Sequence, residues 1–285
     1  MKSAFLAAAM LLAASSGAAF AADVALKASP EGTAPAHGWN GFYFGGNVGY
    51  GWGGNTDVAG NGTISGPLGA TISTAFADSQ RQQPLIGGAQ IGYNYQISPQ
   101  VVLGLEADIQ GSGGDNSFST PFSGIGCNRF ECYSLSGTAT TSDARIEWFG
   151  TVRGRVGVLI NPDLLLFGTG GLAYGSVNSG NVTINAYDPH FAASFGPSTS
   201  SFGQRTKIGF AVGAGLEGRF SEWLPANWTW KLEYMYVDLG SRDSSTAFDA
   251  SSSNPGNLTD LIGTVSAHTH FSDNIVRVGL NYHFN

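Results

Sequence analysis

A pair of histidines is the first pattern in this 285-residue chain that could support chemistry. His268 and His270 are two residues apart, so in a β-strand their side chains would point to the same face. With Asp260 or Asp273 nearby in sequence, they could bind a metal ion, or act as a base beside a carboxylate. A metal site needs three or four ligands, and no nucleophile stands at a spacing that pairs it with either histidine. The sequence therefore favours ordinary exposed polar residues, and we expect no metal, no cofactor and no catalytic residue.

Two further motifs are also weak indications of a binding or metal site. Gly213–Gly218 matches the dinucleotide fingerprint G-x-G-x-x-G, which has meaning only where a strand gives way to a helix. Here a strand pattern continues through Phe220, so the match is interpreted as a coincidence. The two cysteines, Cys127 and Cys132, would form a small disulfide ring in an exported chain. A metal-binding thiol pair is the rival, but a lone pair is a weak zinc signal.

Ionisable side chains at alternate positions of predicted strands form the largest chemical set. They share the parity opposite to the apolar residues. Seven are cations and five are carboxylates: Glu106, Asp108, Arg145, Glu147, Arg153, Arg155, Lys207, Glu217, Arg219, Lys231, Glu233 and Arg277. If the apolar face is outward, this set lines a lumen, and an interior of about 8 strands is just filled by side chains. We predict a plug of salt bridges and hydrogen bonds. The alternative is a narrow pore that weakly prefers anions.

The composition indicates how the chain meets its surroundings. It has 42 glycines, 12% aromatic residues and only 12% charged residues, whereas soluble domains carry roughly 25% charged residues. Past the N-terminal segment, no stretch approaches the ~20 apolar residues of a spanning helix, so any membrane crossing would use strands. A formal net charge of −7 gives no support to nucleic-acid binding, which needs basic patches.

The N-terminal segment has the features of an export signal. Lys2 precedes the apolar run Phe5–Ala14, and Ala19-Phe20-Ala21 is a small-x-small cleavage site. We predict a signal peptide at residues 1–21, an extended periplasmic lead-in at 22–38 and a barrel domain at 39–285.

Alternation of apolar and polar residues predicts the elements that would position the ionisable set. In the last predicted strand, the side chains of Val278 and Leu280 point to one face and that of Arg277 points to the other. Eight strands are predicted: Asn40–Trp52, Leu85–Ile97, Val101–Gln110, Ala144–Ile160, Leu164–Val177, Gln204–Phe220, Trp228–Leu239 and Asn274–Phe284. The strand at 164–177 is apolar on both parities at its start, which leaves its orientation open.

The connections between these strands alternate strictly between long and short. Aromatic residues cluster at strand ends, as membrane-interface girdles require: Trp52, Tyr95, Trp148, Trp228, Trp230, Tyr282 and Phe284. The fold predicted is all-β: a transmembrane antiparallel up-and-down β-barrel of eight strands, with four long extracellular loops and short periplasmic turns. The loops are rich in Ser, Thr, Gly and Asn, which suits flexible surface display.

The opening Trp39–Trp52, which reads WNGFYFGGNVGYGW, resembles the OmpA-type eight-stranded outer-membrane barrels of Gram-negative bacteria, in particular their porin-like and opacity-like surface antigens. Similar pieces recur along the mature chain: Gly150–Gly157, Thr169–Gly175 and Val276–Phe284. Members of the family end on an aromatic residue that the barrel assembly machinery reads. The resemblance thus implies an assembly signal at Tyr282 and Phe284, displaced by one position because Asn285 follows.

The resemblance also implies a location and a role. We expect a non-catalytic protein of the cell outer membrane that supports envelope integrity and displays surface loops. Its expected partners are outer-membrane lipids and lipopolysaccharide, the barrel assembly machinery and an unknown extracellular ligand, but no nucleic acid. The alternatives are a small diffusion porin with a charged lumen, an adhesin, and a hydrolase that uses His268 or His270 at the rim.

Overall fold

The computed structural model describes residues 38–65, 71–81, 83–114, 117–220, 225, 227–254 and 259–284. The predicted signal peptide, all of the lead-in except Gly38, and Asn285 lie outside the described residues. No helix of this part of the chain is long and apolar enough to cross a membrane.

The described residues form an antiparallel β-sheet protein. Its strands are β1 (Gly41–Trp52), β2 (Asn55–Ser65), β3 (Thr71–Arg81), β4 (Leu85–Gln96), β5 (Val101–Gly113), β6 (Ser117–Cys127), β7 (Cys132–Asn161), β8 (Leu164–Asp188), β9 (Ala193–Ser201), β10 (Gln204–Arg219), β11 (Trp228–Ala250) and β12 (Leu261–Phe284). The prediction of an all-β, antiparallel, up-and-down arrangement is confirmed.

Eight of these strands close into a ring, in the order β1-β4-β5-β7-β8-β10-β11-β12, and β12 pairs back onto β1. The closing register runs from Phe42 opposite Phe284 to Trp52 opposite Asn274. Short connections such as the one between β4 and β5 lie at one end of the ring, which we name the turn end. The opposite end, where β7, β8, β11 and β12 continue past the ring, is named the extended end.

The two faces of the ring differ as the alternation predicts. On β12, Val278 is 52% exposed on the outside, whereas Arg277 is 2% exposed on the inside. Large inward side chains lie opposite glycines of the neighbouring strand. Gly49 pairs with Arg277, and a Cβ on Gly49 would stand 2.8 Å from the Cβ of Arg277. Glycines therefore provide the space that the charged side chains occupy.

The long connections are not the flexible loops that the sequence analysis predicted. They form the extension, a β-sheet structure made of β2, β3, β6, β9 and the distal parts of β7, β8, β11 and β12. Within it, β2 pairs with β12 and β3, β6 pairs with β7, and β9 pairs with β8. An isolated bridge between Phe195 and Ser252 links β9 to the end of β11.

The extension has an apolar core of its own, which explains why these segments fold. Alternate residues such as Val182 and Ile184 turn inward with about 0–1% exposure, while their neighbours remain at the surface. The remaining core members include Val58, Ile64, Ile72, Phe122, Leu135, Phe195, Phe202, Phe248, Leu261 and Val265. Burial of about ten large apolar side chains, each contributing roughly 1.5–3 kcal/mol, offsets the entropy cost of ordering the strands.

A register shift in β7 corrects one predicted face. The pairing of β7 with β8 is irregular between Ile146 and Trp148, so Glu147 is the extra residue and the facing of the strand reverses there. The parity opposite to Arg145 and Glu147 predicts an outward side chain for Ile146, but Ile146 is 3% exposed in an interior apolar cluster. Arg145 and Glu147, predicted to line the lumen, are instead only half-buried near the extended end.

The orientation of the strand that begins at Leu164, left open by the sequence, is clear in the structure. Leu165 and Phe167 point inward with 0% and 2% exposure, and Leu166 points outward with 48% exposure. Leu165 packs with Trp39 and Val102 at the turn end, which accounts for the apolar residue on the inward parity.

Candidate functional site

Charged side chains from β5, β7, β10, β11 and β12 meet inside the ring. We name this set the charge cluster. It contains four cations and four carboxylates, all buried: Glu106, Asp108, Arg153, Arg155, Glu217, Lys231, Glu233 and Arg277. The structure therefore brings together eight of the twelve residues that the sequence analysis assigned to the lumen, and their formal charges balance.

Arg153 on β7 has carboxylate partners on two other strands. Its Nη2 atom lies 2.6 Å from Glu106 Oε1 and 2.8 Å from Asp108 Oδ2, both on the adjacent β5. Its Nη1 atom lies 2.5 Å from Glu233 Oε1 on β11, a strand that does not neighbour β7 in the ring. The planar guanidinium, with five donors, thus bridges the lumen between several acceptors.

Lys231 and Arg277 share the same carboxylates. Lys231 Nζ lies 2.6 Å from Glu106 Oε2 and 3.0 Å from Glu233 Oε2. Arg277 Nη2 lies 2.7 Å from Glu233 Oε2 and 3.0 Å from Asp108 Oδ2. Each of the three carboxylates contacts at least two cations, so removal of any one side chain leaves several buried charges short of a partner.

Glu217 forms the second centre of the charge cluster. Its Oε2 atom pairs with the guanidinium of Arg155 on β7, which only β8 separates from β10 in the ring. Its Oε1 atom accepts hydrogen bonds from Thr229 Oγ1 at 2.7 Å and Asn281 Nδ2 at 2.8 Å. His283 Nε2 lies 3.1 Å from the same oxygen. This carboxylate is therefore fully surrounded by donors, as a buried charge requires.

Sequence reasoning omitted several buried members of this network, among them Tyr43 and His283. The hydroxyl of Tyr43 donates to Glu106 Oε2 at 2.6 Å and accepts from Arg155 Nη1 at 3.4 Å. The ring of His283 stacks on Tyr43 with 5.2 Å between centroids. Both residues have the inward parity of their strands, and this alternation was the signal that could have included them.

The other four predicted lumen residues lie outside the charge cluster. The register shift described above takes Arg145 and Glu147 away from it. Lys207 donates to a backbone carbonyl of β11 at the extended end. Arg219 lies at the turn end, with its Cζ atom 5.1 Å from the centre of the Trp39 ring.

Apolar side chains close the interior on both sides of the charge cluster. At the turn end, Trp39, Val102 and Leu165 pack together with 0–1% exposure, and Trp39 Nε1 donates to the carbonyl of Pro162 at 3.1 Å. Toward the extended end, a larger apolar layer fills the ring: Ile86, Ile146, Phe149, Ala173, Val177, Ala211, Met235, Val237, Leu239, Phe271 and Ile275. The charged side chains inside the ring thus lie between two apolar layers.

The two histidines considered for chemistry lie on the exposed surface of the extension. His268 Nδ1 is 2.6 Å from Asp243 Oδ1, and His270 Nε2 is 3.9 Å from Asp238 Oδ2. Within the described part of the chain, no three His, Cys, Asp or Glu side chains are grouped closely enough to hold a metal ion.

The other two motifs also have plain structural settings. Cys127 and Cys132 form a disulfide that closes the β6–β7 hairpin, as predicted. Gly213–Gly218 lies within β10, which continues to Arg219, so the fingerprint has no strand-to-helix turn.

A closed ring of eight antiparallel strands, apolar outside and filled with polar side chains inside, is the architecture of small outer-membrane β-barrel proteins. The sequence matches the family described as "Outer membrane protein beta-barrel domain" over residues 4–284. The chain belongs to this family, and its location is the outer membrane.

Two relatives whose names describe outer-membrane proteins agree with this assignment. The chain is 36% identical over 281 residues to the "31 kDa outer-membrane immunogenic protein" of Brucella melitensis, covering 93% of each chain. It is 31% identical over 209 residues to the "22 kDa outer membrane protein" of Rhizobium leguminosarum, covering 73% of this chain and 68% of that one. Among solved structures, OprG from Pseudomonas aeruginosa is 12% identical, covers 86% of this chain and 97% of its own, and has a TM-score of 0.33.

Proposed function

We propose that this protein is a non-catalytic, non-conducting outer-membrane barrel that supports envelope integrity and holds a folded structure at the cell surface. The observation that carries the proposal is the filling of the ring by three successive layers, apolar, charged and apolar. A channel needs a continuous polar path, and buried apolar constrictions oppose one.

The orientation follows from the two ends of the ring. Outer-membrane barrels have short periplasmic turns and longer extracellular connections. We infer that the turn end faces the periplasm and that the extension faces outward. The spanning part of the ring has an outward apolar face that ends in aromatic side chains such as Trp52, Trp148 and Tyr234 near the extension.

The composition of the charge cluster also argues against the diffusion-pore alternative. A preference for anions requires an excess of cations in the lumen, whereas the cluster has four of each sign. Its contacts between non-adjacent strands, such as Arg153 with Glu233 and Arg155 with Glu217, occupy space inside the ring that a solute would need. The cluster thus supports a role in holding the ring together.

Surface display is the second part of the proposal. The extension presents the polar face of its strands and buries the apolar one, so it is a folded antigenic surface. The Brucella relative is named an immunogenic protein, which supports the display role for this chain. The adhesin alternative shares the same surface and differs only in having a receptor.

The position of the C-terminal aromatic residues supports the barrel assembly machinery as a partner. Tyr282 and Phe284 point outward at the turn end, and Phe284 is 55% exposed, so the assembly machinery would meet them from the membrane or periplasmic side. For the non-catalytic role, the support is that His268 pairs with Asp243 and that no hydroxyl among the residues described by the structure is bonded to its ring.

Recording from planar bilayers tests the proposal. Purified mature protein should add no discrete conductance steps, and Arg153→Ala, which removes a side chain that crosses the lumen, should raise the frequency of brief openings. Discrete steps of stable amplitude from the wild-type protein would contradict the closed lumen.

A further inference from the structure

A cavity of about 350 Å³ lies where the end of β1 meets the β2–β3 hairpin, at the junction of the ring and the extension. Its lining combines two aromatic rings, two amides and one guanidinium: Tyr50, Trp52, Gly53, Asn55, Arg81 and Gln83. This is a small cavity of mixed polar and aromatic character, outside the charge cluster and unrelated to the sealing of the lumen.

The walls of the cavity are held in place by contacts from three segments. The rings of Tyr50 and Trp52 lie nearly parallel, with 6.4 Å between centroids and 27° between planes. The hydroxyl of Tyr50 donates to Gln83 Oε1 at 2.9 Å. Arg81 lies directly opposite Asn55 in the β2–β3 ladder. The aromatic surface and the cation are therefore positioned on the same side of the strand junction.

Arg81 differs from two neighbouring cations, Lys207 and Arg242, in its bonding. Its side chain is exposed, and its guanidinium forms no hydrogen bond or ion pair with any residue that the structure describes. By contrast, Lys207 donates to the carbonyl of Ser241, and Arg242 donates to that of Gly203 at 2.8 Å. The donors of Arg81 remain available to a ligand.

The distribution of cations points to an anionic ligand at this level of the molecule. Outside the charge cluster, the described cations other than Arg129 at a hairpin tip and Arg219 at the turn end all lie around the start of the extension. They are Arg81, Arg145, Arg205, Lys207 and Arg242. A collar of cations just beyond an apolar membrane face matches the depth of lipid phosphates.

We propose that this cavity binds the phosphorylated sugar headgroup of an outer-leaflet glycolipid. Arg81 would bind a phosphate through its paired donors, and the rings of Tyr50 and Trp52 would pack against the sugar. The acyl chains would lie along the adjacent apolar face of β1, where Val48 is 63% exposed. The glycolipid source rests on the orientation proposed above.

Binding by the purified full-length mature protein tests the site. The probes are bisphosphorylated lipid A, the same lipid after removal of both phosphates, phosphatidylglycerol and inorganic phosphate, each titrated in detergent and followed by native mass spectrometry. The wild type should prefer bisphosphorylated lipid A. Arg81→Gln should weaken that binding about tenfold, the effect of losing roughly 1.4 kcal/mol of interaction, and Trp52→Leu should reduce the preference for lipid A over phosphatidylglycerol.

Arg129→Gln is the matched control, because it removes an exposed arginine far from the cavity. Equal binding by the Arg81→Gln and Arg129→Gln proteins would overturn the proposal. So would competition by inorganic phosphate at the same concentration as lipid A, which would identify a free-phosphate site. A heat-dependent shift in gel mobility verifies that each variant is folded.

A separate measurement tests the orientation. Ser245→Cys places a thiol on the exposed face of the extension, and a membrane-impermeant maleimide should label it in intact cells. Failure of this labelling would overturn the proposed orientation and with it the outer-leaflet source. Failure of lipid A binding, with labelling intact, would overturn the glycolipid site alone.

Discussion

Arg153 and Glu233 face each other across the interior of the ring, from strands that share no backbone pairing, with Nη1 and Oε1 2.5 Å apart. The contact joins two strands that lie three places apart in the eight-strand ring through side chains alone. Together with Lys231 and Arg277, it makes the charge cluster a set of cross-links in addition to the strand ladders.

Glu233→Gln should destabilise the folded barrel strongly. The substitution keeps the shape but leaves Arg153, Lys231 and Arg277 with less negative charge in a buried site, where loss of one partner costs about 3–5 kcal/mol. The transition midpoint in urea, followed by gel mobility without heating, should fall. Glu147→Gln, on a half-buried carboxylate outside the cluster, is the control and should change the midpoint little. An unchanged midpoint for Glu233→Gln would show that the cluster contributes nothing to stability.

Tyr43→Phe should have a smaller effect of the same sign. It removes a hydroxyl that donates to Glu106 Oε2 at 2.6 Å, and a hydrogen bond to a charged group contributes about 1.5–3 kcal/mol. The same urea titration measures it. Tyr93→Phe, on the outward face of β4, provides the comparison, and equal effects of the two substitutions would contradict the buried role of Tyr43.

Phe195→Ala should loosen the extension without opening the ring. Its side chain is 1% exposed in the core of the extension, and truncation of a buried Phe costs about 3–5 kcal/mol. We expect new cleavage within β9 and its neighbours under limited proteolysis, while the heat-dependent mobility shift of the ring is retained. Tyr187→Ala, which removes a half-exposed ring on the same extension, should leave cleavage unchanged. Rapid cleavage of the wild-type extension would instead support flexible loops.

Asp273→Asn should remove a pH dependence of stability. Asp273 lies on the extension side of the predicted last membrane strand, and burial raises its pKa to about 6, although a backbone hydrogen bond from Gly54 opposes the rise. Because the folded-state pKa lies above the ordinary value, the folded protein holds a proton that the unfolded chain releases between about pH 4 and pH 6. Stability therefore decreases as pH rises through that window, by about 3 kcal/mol at 1.36 kcal/mol per pKa unit.

The measurement for Asp273 is thermal unfolding at pH 4.5 and pH 7.5. The asparagine variant should gain stability relative to the wild type at pH 7.5 and show a smaller difference between the two pH values. Asp249→Asn, on an exposed carboxylate of the extension, serves as the matched substitution. A wild-type protein that becomes more stable between these pH values would contradict the assignment.

The alternation of apolar and polar residues was sufficient to predict the ring. Each of the eight predicted strands has an observed counterpart, because a spanning strand must present one apolar face to lipid and the sequence shows that face directly. The same alternation placed Arg153, Glu217 and Arg277 inside. What it could not give was their pairing, since cross-lumen contacts depend on the closed three-dimensional ring and not on spacing along the chain.

Two parts of the structure were mispredicted for identifiable reasons. Ile146 was placed on the wrong face because a single extra residue reverses the parity of a strand, and no turn residue marks it. The extension was interpreted as flexible because Ser, Thr, Gly and Asn dominate its composition. Its apolar residues, such as Val182 and Ile184, are spaced for a buried face, but they are few enough to be obscured by the polar majority.

The pairing of β1 with β12 has a consequence for biogenesis. The two edges of the sheet that meet there belong to the first and last described strands, β1 and β12, so a nascent chain that lacks β12 cannot close the ring. Until β12 has been synthesised through Phe284, one edge of β1 has unpaired amide and carbonyl groups, which could pair with a strand of another chain. Closure of the ring is therefore a step that can only follow synthesis of β12.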